Sequence, residues 1–362
     1  MNENVSPTAA AEAPLQRFGF EFRGNAKEYF GVWIVNLLLS IVTLGIYTAW
    51  AKVRRLRYFY GNTYLDGHNF EYHARPVQIL IGRIIVVVVL LIYSGLNALN
   101  PLFALLLIPY FFALPWLINK AMAFNARMTS YRNVRLSFRG SYWRAFGIFV
   151  LLPFAAIFTL GILIPYVSRA SANYIGNGMK FGTAQFASDA PLRKFYGNLG
   201  MSVVFMLIMG VVLAIPGYGA GLIAALSNPG AVVEMGASPT IFAIFVGLAV
   251  GLYLALFLAL LFYAAGSRNI AFNATTLDGK HHFVSTLGRG RYVWILVSNL
   301  FAAILTIGLL RPWAAVRTWR FFANNTAVET AGSLDGFIDE AAPSGEVAAA
   351  EFFDIEGIDF GL

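Results

Sequence analysis

Apolar and charged positions are segregated along this chain. Ile84 to Asn119, and Phe195 up to Arg268, hold no Lys or Arg, and Glu234 is the single charge within them. A charged side chain in hydrocarbon costs several kcal/mol, so this partition predicts a polytopic membrane protein. Seven apolar segments stand out: Phe30–Ala51, Ile79–Leu99, Leu102–Asn119, Ala145–Val167, Leu199–Ile215, Thr240–Ala265 and Val293–Leu310. Most approach the ~20 residues that a helical span needs, with Leu199–Ile215 at the short end.

Three of these segments share a pattern. Thr43-Leu-Gly, Thr159-Leu-Gly and Thr306-Ile-Gly align, each followed seven residues after its Thr by an aromatic: Trp50, Tyr166 and Trp313. Asn36 and Asn299 also share one position. Gly favours a break in a helix, and a Thr hydroxyl can satisfy the freed backbone groups. Asn36, Thr43, Gly45, Thr159, Gly161, Asn299, Thr306 and Gly308 are therefore the candidate repeat-break residues. If all seven segments cross, the Lys and Arg divide 15 against 11 between the two sides; if the three repeat segments return to the side they entered, the division is 26 against 0. The positive-inside rule favours the second arrangement. The expected fold is an all-α integral membrane protein with four transmembrane helices, three repeated re-entrant or interfacial helical segments, and small juxtamembrane β-hairpins.

The hairpins are read from two-residue turn signals in the polar stretches: Asp66-Gly67, Arg132-Asn133, Asn177-Gly178, Asp278-Gly279 and Asp335-Gly336. Asp, Asn and Gly tolerate the positive φ that such turns require. The organisation expected is a disordered N-terminus (1–17), a membrane domain (18–326) with three internal repeats (18–119, 134–266 and 283–326), and an acidic C-terminal tail (327–362). Within the tail, Ala331–Ala350 is expected to be mobile and Phe352–Phe360 is a docking candidate. Gly247-Leu-Ala-Val-Gly251 is a GxxxG that serves either packing within the chain or a homo-oligomer.

Composition narrows the chemistry. The net charge is +8, yet Glu329 to the end carries nine acids and no Lys or Arg, which leaves +17 on the rest. There are no cysteines, so disulfides and thiolate ligands are excluded. The N-terminus lacks the basic and apolar regions of a cleaved signal peptide. No acid lies in the middle of a span, and no nucleophile elbow, P-loop or zinc-protease motif occurs. An enzyme is not expected, nor are a cofactor, a metal site or nucleic-acid binding; His68, His73, His281 and His282 read as loop histidines.

What remains is a basic, aromatic cluster at the membrane edge. Trp50, Lys52, Arg54 and Arg57 are echoed by Trp313, Arg317 and Arg320, while Ser168, Ala170 and Asn173 stand at the positions of Lys52, Arg54 and Arg57 in the second copy. Cations interleaved with aromatics suit anionic headgroups, so these seven residues are the candidate ligand or lipid contacts, with anionic membrane lipids as partners. Broken membrane segments suit a transporter of a small solute or lipid, the leading reading. An anionic-lipid-binding scaffold or assembly factor is the alternative.

The run Phe22-Arg-Gly, Tyr29-Phe, Asn36, Thr43-Leu-Gly-Ile-Tyr, Trp50-Ala-Lys-Val-Arg54, Tyr58, Asn62-Thr63, Leu65-Asp66-Gly67 and Phe70 resembles the YjgN family of bacterial membrane proteins. The similarity runs from about Phe18 to Thr326. It implies a multi-pass protein of the bacterial inner membrane, and it supplies no catalytic residues. Both termini are expected in the cytoplasm.

Overall fold

The computed structural model describes residues 15–227, 239–331 and 334–342. Ten short strands close into one antiparallel barrel. They are β1 (Leu15–Phe22), β2 (Thr63–Leu65), β3 (His68–Tyr72), β4 (Thr129–Tyr131), β5 (Val134–Phe138), β6 (Met179–Phe181), β7 (Ala184–Ser188), β8 (Thr275–Leu277), β9 (His281–Ser285) and β10 (Thr326–Ala331). Each strand pairs with its chain neighbours, and β1 closes the circle on β10 with Phe18 opposite Val328. An all-α description is therefore too narrow: the expected hairpins are joined into a closed sheet, which leaves no free edge.

Helical hairpins fill the gaps between strand pairs. Three are short: α1 (Ala26–Val42) with α2 (Thr48–Gly61); α5 (Tyr142–Phe146), continued through one π turn into α6 (Leu152–Phe158), with α7 (Ile164–Gly178); and α10 (Arg289–Leu305) with α11 (Arg311–Asn324). Two are long: α3 (Pro76–Leu99) with α4 (Leu107–Arg127), and α8 (Leu192–Ser227) with α9 (Pro239–Asn273). Among the described residues four helical stretches are long and apolar enough to cross a membrane: Pro76–Leu99, Pro101–Arg127, Leu192–Pro216 and Ile244–Asn273. Residues 216–227 continue α8 beyond the span. Gly251 lies against the α8 backbone, where a Cβ would meet Leu213 at 3.4 Å, so this glycine lets the two arms of one hairpin approach.

Strand register fixes how the hairpins stand. Phe22 faces Thr63 across α1–α2, Tyr72 faces Thr129 across α3–α4, and Phe138 faces Met179 across α5–α7. Ser188 faces Thr275 across α8–α9, and Ser285 faces Thr326 across α10–α11. Every helical hairpin, short or long, thus leaves and re-enters the barrel at one rim. The tight β turns lie at the other.

Those turns follow the expected chemistry at three places. Asp66 and Gly67 (φ 47° and 74°), Arg132 and Asn133 (49° and 65°), and Asp278 and Gly279 (52° and 65°) all take positive φ. The fourth turn is Gly182-Thr183, not Asn177-Gly178. Asn177 instead clamps β7, accepting from Ser188 N (2.8 Å) and donating to Ser188 O (3.0 Å). Gly178 is required for space, because a Cβ there would sit 2.5 Å from the Phe138 ring.

One face of every strand builds the barrel interior. Leu65, Tyr131, Val134, Phe181, Ala184, Leu277 and Val328 form a buried cluster, with Phe18, Phe20, Phe70, Leu136, Phe186 and Phe283 packed against it. Phe20 stacks on Phe70 (5.8 Å), Phe70 on Tyr131 (4.8 Å), and Phe186 lies beside Phe283 (5.6 Å). A barrel of this size packs its interior with side chains.

A further helix, α12 (Leu334–Ala341), completes that core. Leu334, Phe337, Ile338 and Ala341 share one helical face and are all buried in the same cluster. Phe337 lies 4.0 Å from the His281 ring, Thr183 N donates to Ala341 O (3.0 Å), and Arg132 pairs with Asp335. Two expectations change. Asp335-Gly336 is helical, not a hairpin turn, because Leu334, Phe337 and Ile338 on either side bury an apolar face at helical spacing. The stretch expected to be mobile begins instead as strand β10's last residue and the docked helix. The candidate docking segment Phe352–Phe360 lies outside the described residues.

Candidate functional site

The three Thr-Leu/Ile-Gly positions adopt one backbone form. Leu44 and Gly45 have φ of 50° and 91°, Leu160 and Gly161 of 50° and 85°, Ile307 and Gly308 of 51° and 88°. Each turn is closed from within. Thr43 Oγ1 donates to Leu39 O (2.7 Å) and accepts from Tyr47 N (2.9 Å). Thr306 Oγ1 does the same with Ala302 O and Leu310 N, and Thr159 Oγ1 reaches Ala156 O and Leu163 N at longer range. The hydroxyls that could have lined a solute path are thus used in local capping. Asn299 donates to Ala314 O and to Thr318 Oγ1, whereas Asn36 is buried with its Oδ1 unpartnered.

The seven basic and aromatic candidates do not form one site. Trp50 stacks on Tyr47 (5.9 Å) and packs on the core around Val53 and Ile79. Lys52 lines a cleft of about 670 Å3 between α2 and α3, which Gly45, Thr48 and Arg83 also line. Arg54 is exposed on α2. Trp313, Arg317 and Arg320 line a separate cleft of about 840 Å3 together with Arg291 and Trp294. Arg317 is tied to Ser298 Oγ (2.6 Å) and Asn299 Oδ1 (3.1 Å) and lies over the Trp313 ring (5.0 Å).

Arg57 and Arg320 have a role that sequence reasoning missed. Arg57 donates to Tyr72 O (3.3 Å) and Ala74 O (3.2 Å), and Arg320 donates to Gly24 O (2.8 Å). Both sit eight residues before a barrel-facing residue, Leu65 and Val328, and both fasten a helix to the loop that leaves the next strand. Asn173 and Asn269 hold the same place before Phe181 and Leu277. Asn173 Oδ1 accepts from Ala190 N (3.0 Å), and Asn269 exchanges bonds with Leu287 N (3.0 Å) and O (2.9 Å). The signal was available: four polar residues at one spacing from the strands.

The rim that carries the helices is strongly basic. A third cleft there, of about 550 Å3, lies between α4 and β5 and is lined by Lys120, Arg127, Arg135 and Arg139. His73 nearby has its pKa lowered, first by burial and then by Arg135, against the opposite pull of Glu71. The histidines are dispersed: His73 bonds Ser130 Oγ (2.7 Å), His68 faces Asp66 O (2.9 Å), and His281 lies within the barrel.

The fold and these clefts define a membrane-embedded helical protein built on a closed barrel with a cationic rim. Residues 17–355 match the family described as bacterial protein of unknown function (DUF898), and the chain belongs to that family. It is similar to Inner membrane protein YjgN of Salmonella typhimurium (strain LT2), 25 % identical over 363 residues, which covers 87 % of this chain and 88 % of that protein. Inner membrane protein YjgN of Escherichia coli O157:H7 is 31 % identical over 147 residues, covering 39 % of this chain and 37 % of that protein. No solved structure matches.

Proposed function

We propose that this protein is an anionic-lipid-binding scaffold of the inner membrane, acting by binding and not by catalysis. The observation that carries this reading is the shape of the short hairpins. Their tips, Leu44, Leu160 and Ile307, are 95 %, 95 % and 96 % exposed, and each is apolar. Lys52 follows Gly45 by seven residues, Arg169 follows Gly161 by eight, and Arg311 follows Gly308 by three. At 1.5 Å per residue the uncharged tips reach ~5–12 Å, well short of a ~30 Å hydrocarbon core. The short hairpins therefore wedge into one leaflet as interfacial segments, while the two long hairpins cross. The basic rim then sits at headgroup level, and the positive-inside rule puts it, the barrel and β1 and β10 in the cytoplasm.

Transport of a small solute or lipid is less well supported. Aromatic side chains fill the barrel interior, α12 packs on them beside the tight turns, and the break hydroxyls are used within their own turns. The deciding measurement is lipid analysis of the full-length protein purified in neutral detergent. Phosphatidylglycerol or cardiolipin should be retained above its share in the membrane and be stripped by high salt, since the Debye length beyond which exposed charges are screened shrinks from ~10 Å at 0.1 M to ~3 Å at 1 M. Retention in proportion to membrane content, with no salt dependence, would exclude the reading.

A further inference from the structure

The pattern of helix-to-loop ties has one gap. Arg57, Asn173, Asn269 and Arg320 each fasten the loop leaving a strand. The fifth equivalent position, eight residues before the barrel-facing Tyr131, is Ala123. Its methyl group cannot reach the loop after β5. That loop is held instead through Tyr174 of α7, whose hydroxyl lies 3.1 Å from Ser141 O and 2.6 Å from Asn119 Oδ1 on α4. The space a tie would fill is the cleft of about 550 Å3 between α4 and β5, and Ala123 and Gly140 both line it.

We propose that this cleft is a binding site for a phosphate-bearing anion, in the first instance the headgroup of an anionic phospholipid. This deepens the lipid-binding reading above and rests on it for the source of the anion, not for the site. Lys120, Arg135 and Arg139 line the cleft together with Ser137, and no acid is among its described lining residues. Three cations facing one space repel each other, and phosphate accepts several guanidinium and ammonium donors at once. Along that face of the sheet the nearest described acid is Glu71, on β3, two strands away from Arg135.

The direction of approach comes from α4. Trp116, Lys120, Ala123 and Arg127 recur at helical spacing and line the same cleft, so they form one stripe from the apolar part of α4 to its barrel end. Trp116 is half exposed at the membrane end of that stripe, where an indole suits the interface. A lipid with acyl chains beside the upper turns of α4 places its phosphate beside Lys120 and the β5 arginines.

A replacement that fills the cleft while adding charge tests this. Ala123→Arg rebuilds the tie made by Arg57 and Arg320. In full-length protein incubated with phosphatidylglycerol and phosphatidylcholine and read by native mass spectrometry, the parent should hold phosphatidylglycerol preferentially. Ala123→Arg should lose about tenfold in that retention although its net charge rises, as should Arg135→Gln with Arg139→Gln. Arg17→Gln with Lys280→Gln, an equal loss of charge elsewhere, should retain it. Parent-like retention in both cleft variants overturns the lipid assignment. A second arm uses inorganic phosphate alone on delipidated protein. A thermal shift in the parent that is absent from the cleft variants, with lipid retention unchanged, reassigns the site to aqueous phosphate. No shift and no change in lipid retention overturns the site altogether. If the parent retains no anionic lipid at all, the scaffold reading fails while the phosphate arm still judges the cleft.

Discussion

Gly45, Gly161 and Gly308 hold φ of 91°, 85° and 88°, values that L side chains rarely adopt. Gly31, in the middle of α1, has ordinary helical geometry and nothing within 4 Å of an added Cβ. Gly45→Ala should therefore lower stability by ~1–2 kcal/mol, whereas Gly31→Ala should be neutral or slightly stabilising. Thermal unfolding of the two variants in one detergent measures the contrast, and equal melting temperatures would refute it. At this scale the Thr-Leu/Ile-Gly breaks were readable because Gly and Thr each have a specific backbone use. Arg57 and Arg320 were singled out for their charge, and their role as carbonyl ties was not, since its mark is a common spacing from strands that are themselves too short to be read from the sequence.

Among the elements, α12 shows where local reading fails. Asp335-Gly336 scores as a turn in isolation, but Leu334, Phe337, Ile338 and Ala341 bury one helical face against the barrel core. Tertiary burial outweighs turn propensity. Phe337→Ala should cost ~3–5 kcal/mol of docking, seen as faster amide exchange over Leu334–Ala341 with the long hairpins unaffected. Docking should also depend on pH through His281, which is 3 % exposed and lies against Phe337. Burial lowers its pKa first, Lys280 and His282 add to that, and Asp278 opposes it. The docked state thus binds the proton less readily than the undocked one. Docking is strongest above the ordinary histidine value of ~6.5 and weakens as pH falls through it toward the lower docked value. Exchange over α12 should accelerate as the pH falls below about 6.5 in the parent and stay flat in His281→Gln; a flat profile in the parent would count against His281.

For the whole molecule, four spans and three of the strand turns were legible, because 18-residue apolar windows and paired positive-φ residues are strong local signals. Closure of the barrel was not. Its strands are three to eight residues long, too short for alternation to be read, and β1 meets β10 across more than 300 residues. Yet that closure constrains topology most. Because Phe22 faces Thr63 and Ser285 faces Thr326, the short hairpins must return to the rim they leave. The absence of cysteine makes the consequence easy to measure. Single cysteines at Asp66, Asp278 and Asn100 should report the two faces of the membrane to an impermeant maleimide. The turn positions Asp66 and Asp278 should label from the cytoplasmic side only. Asn100, between the arms of the first long hairpin, should label from the periplasmic side only. Cysteines at Leu44, Leu160 and Ile307 should resist the reagent from both sides in intact membranes and react once detergent is added, because their apolar tips stop within one leaflet. Periplasmic labelling at any of the three tips would mean that its hairpin crosses the bilayer, and the one-leaflet wedge would be wrong.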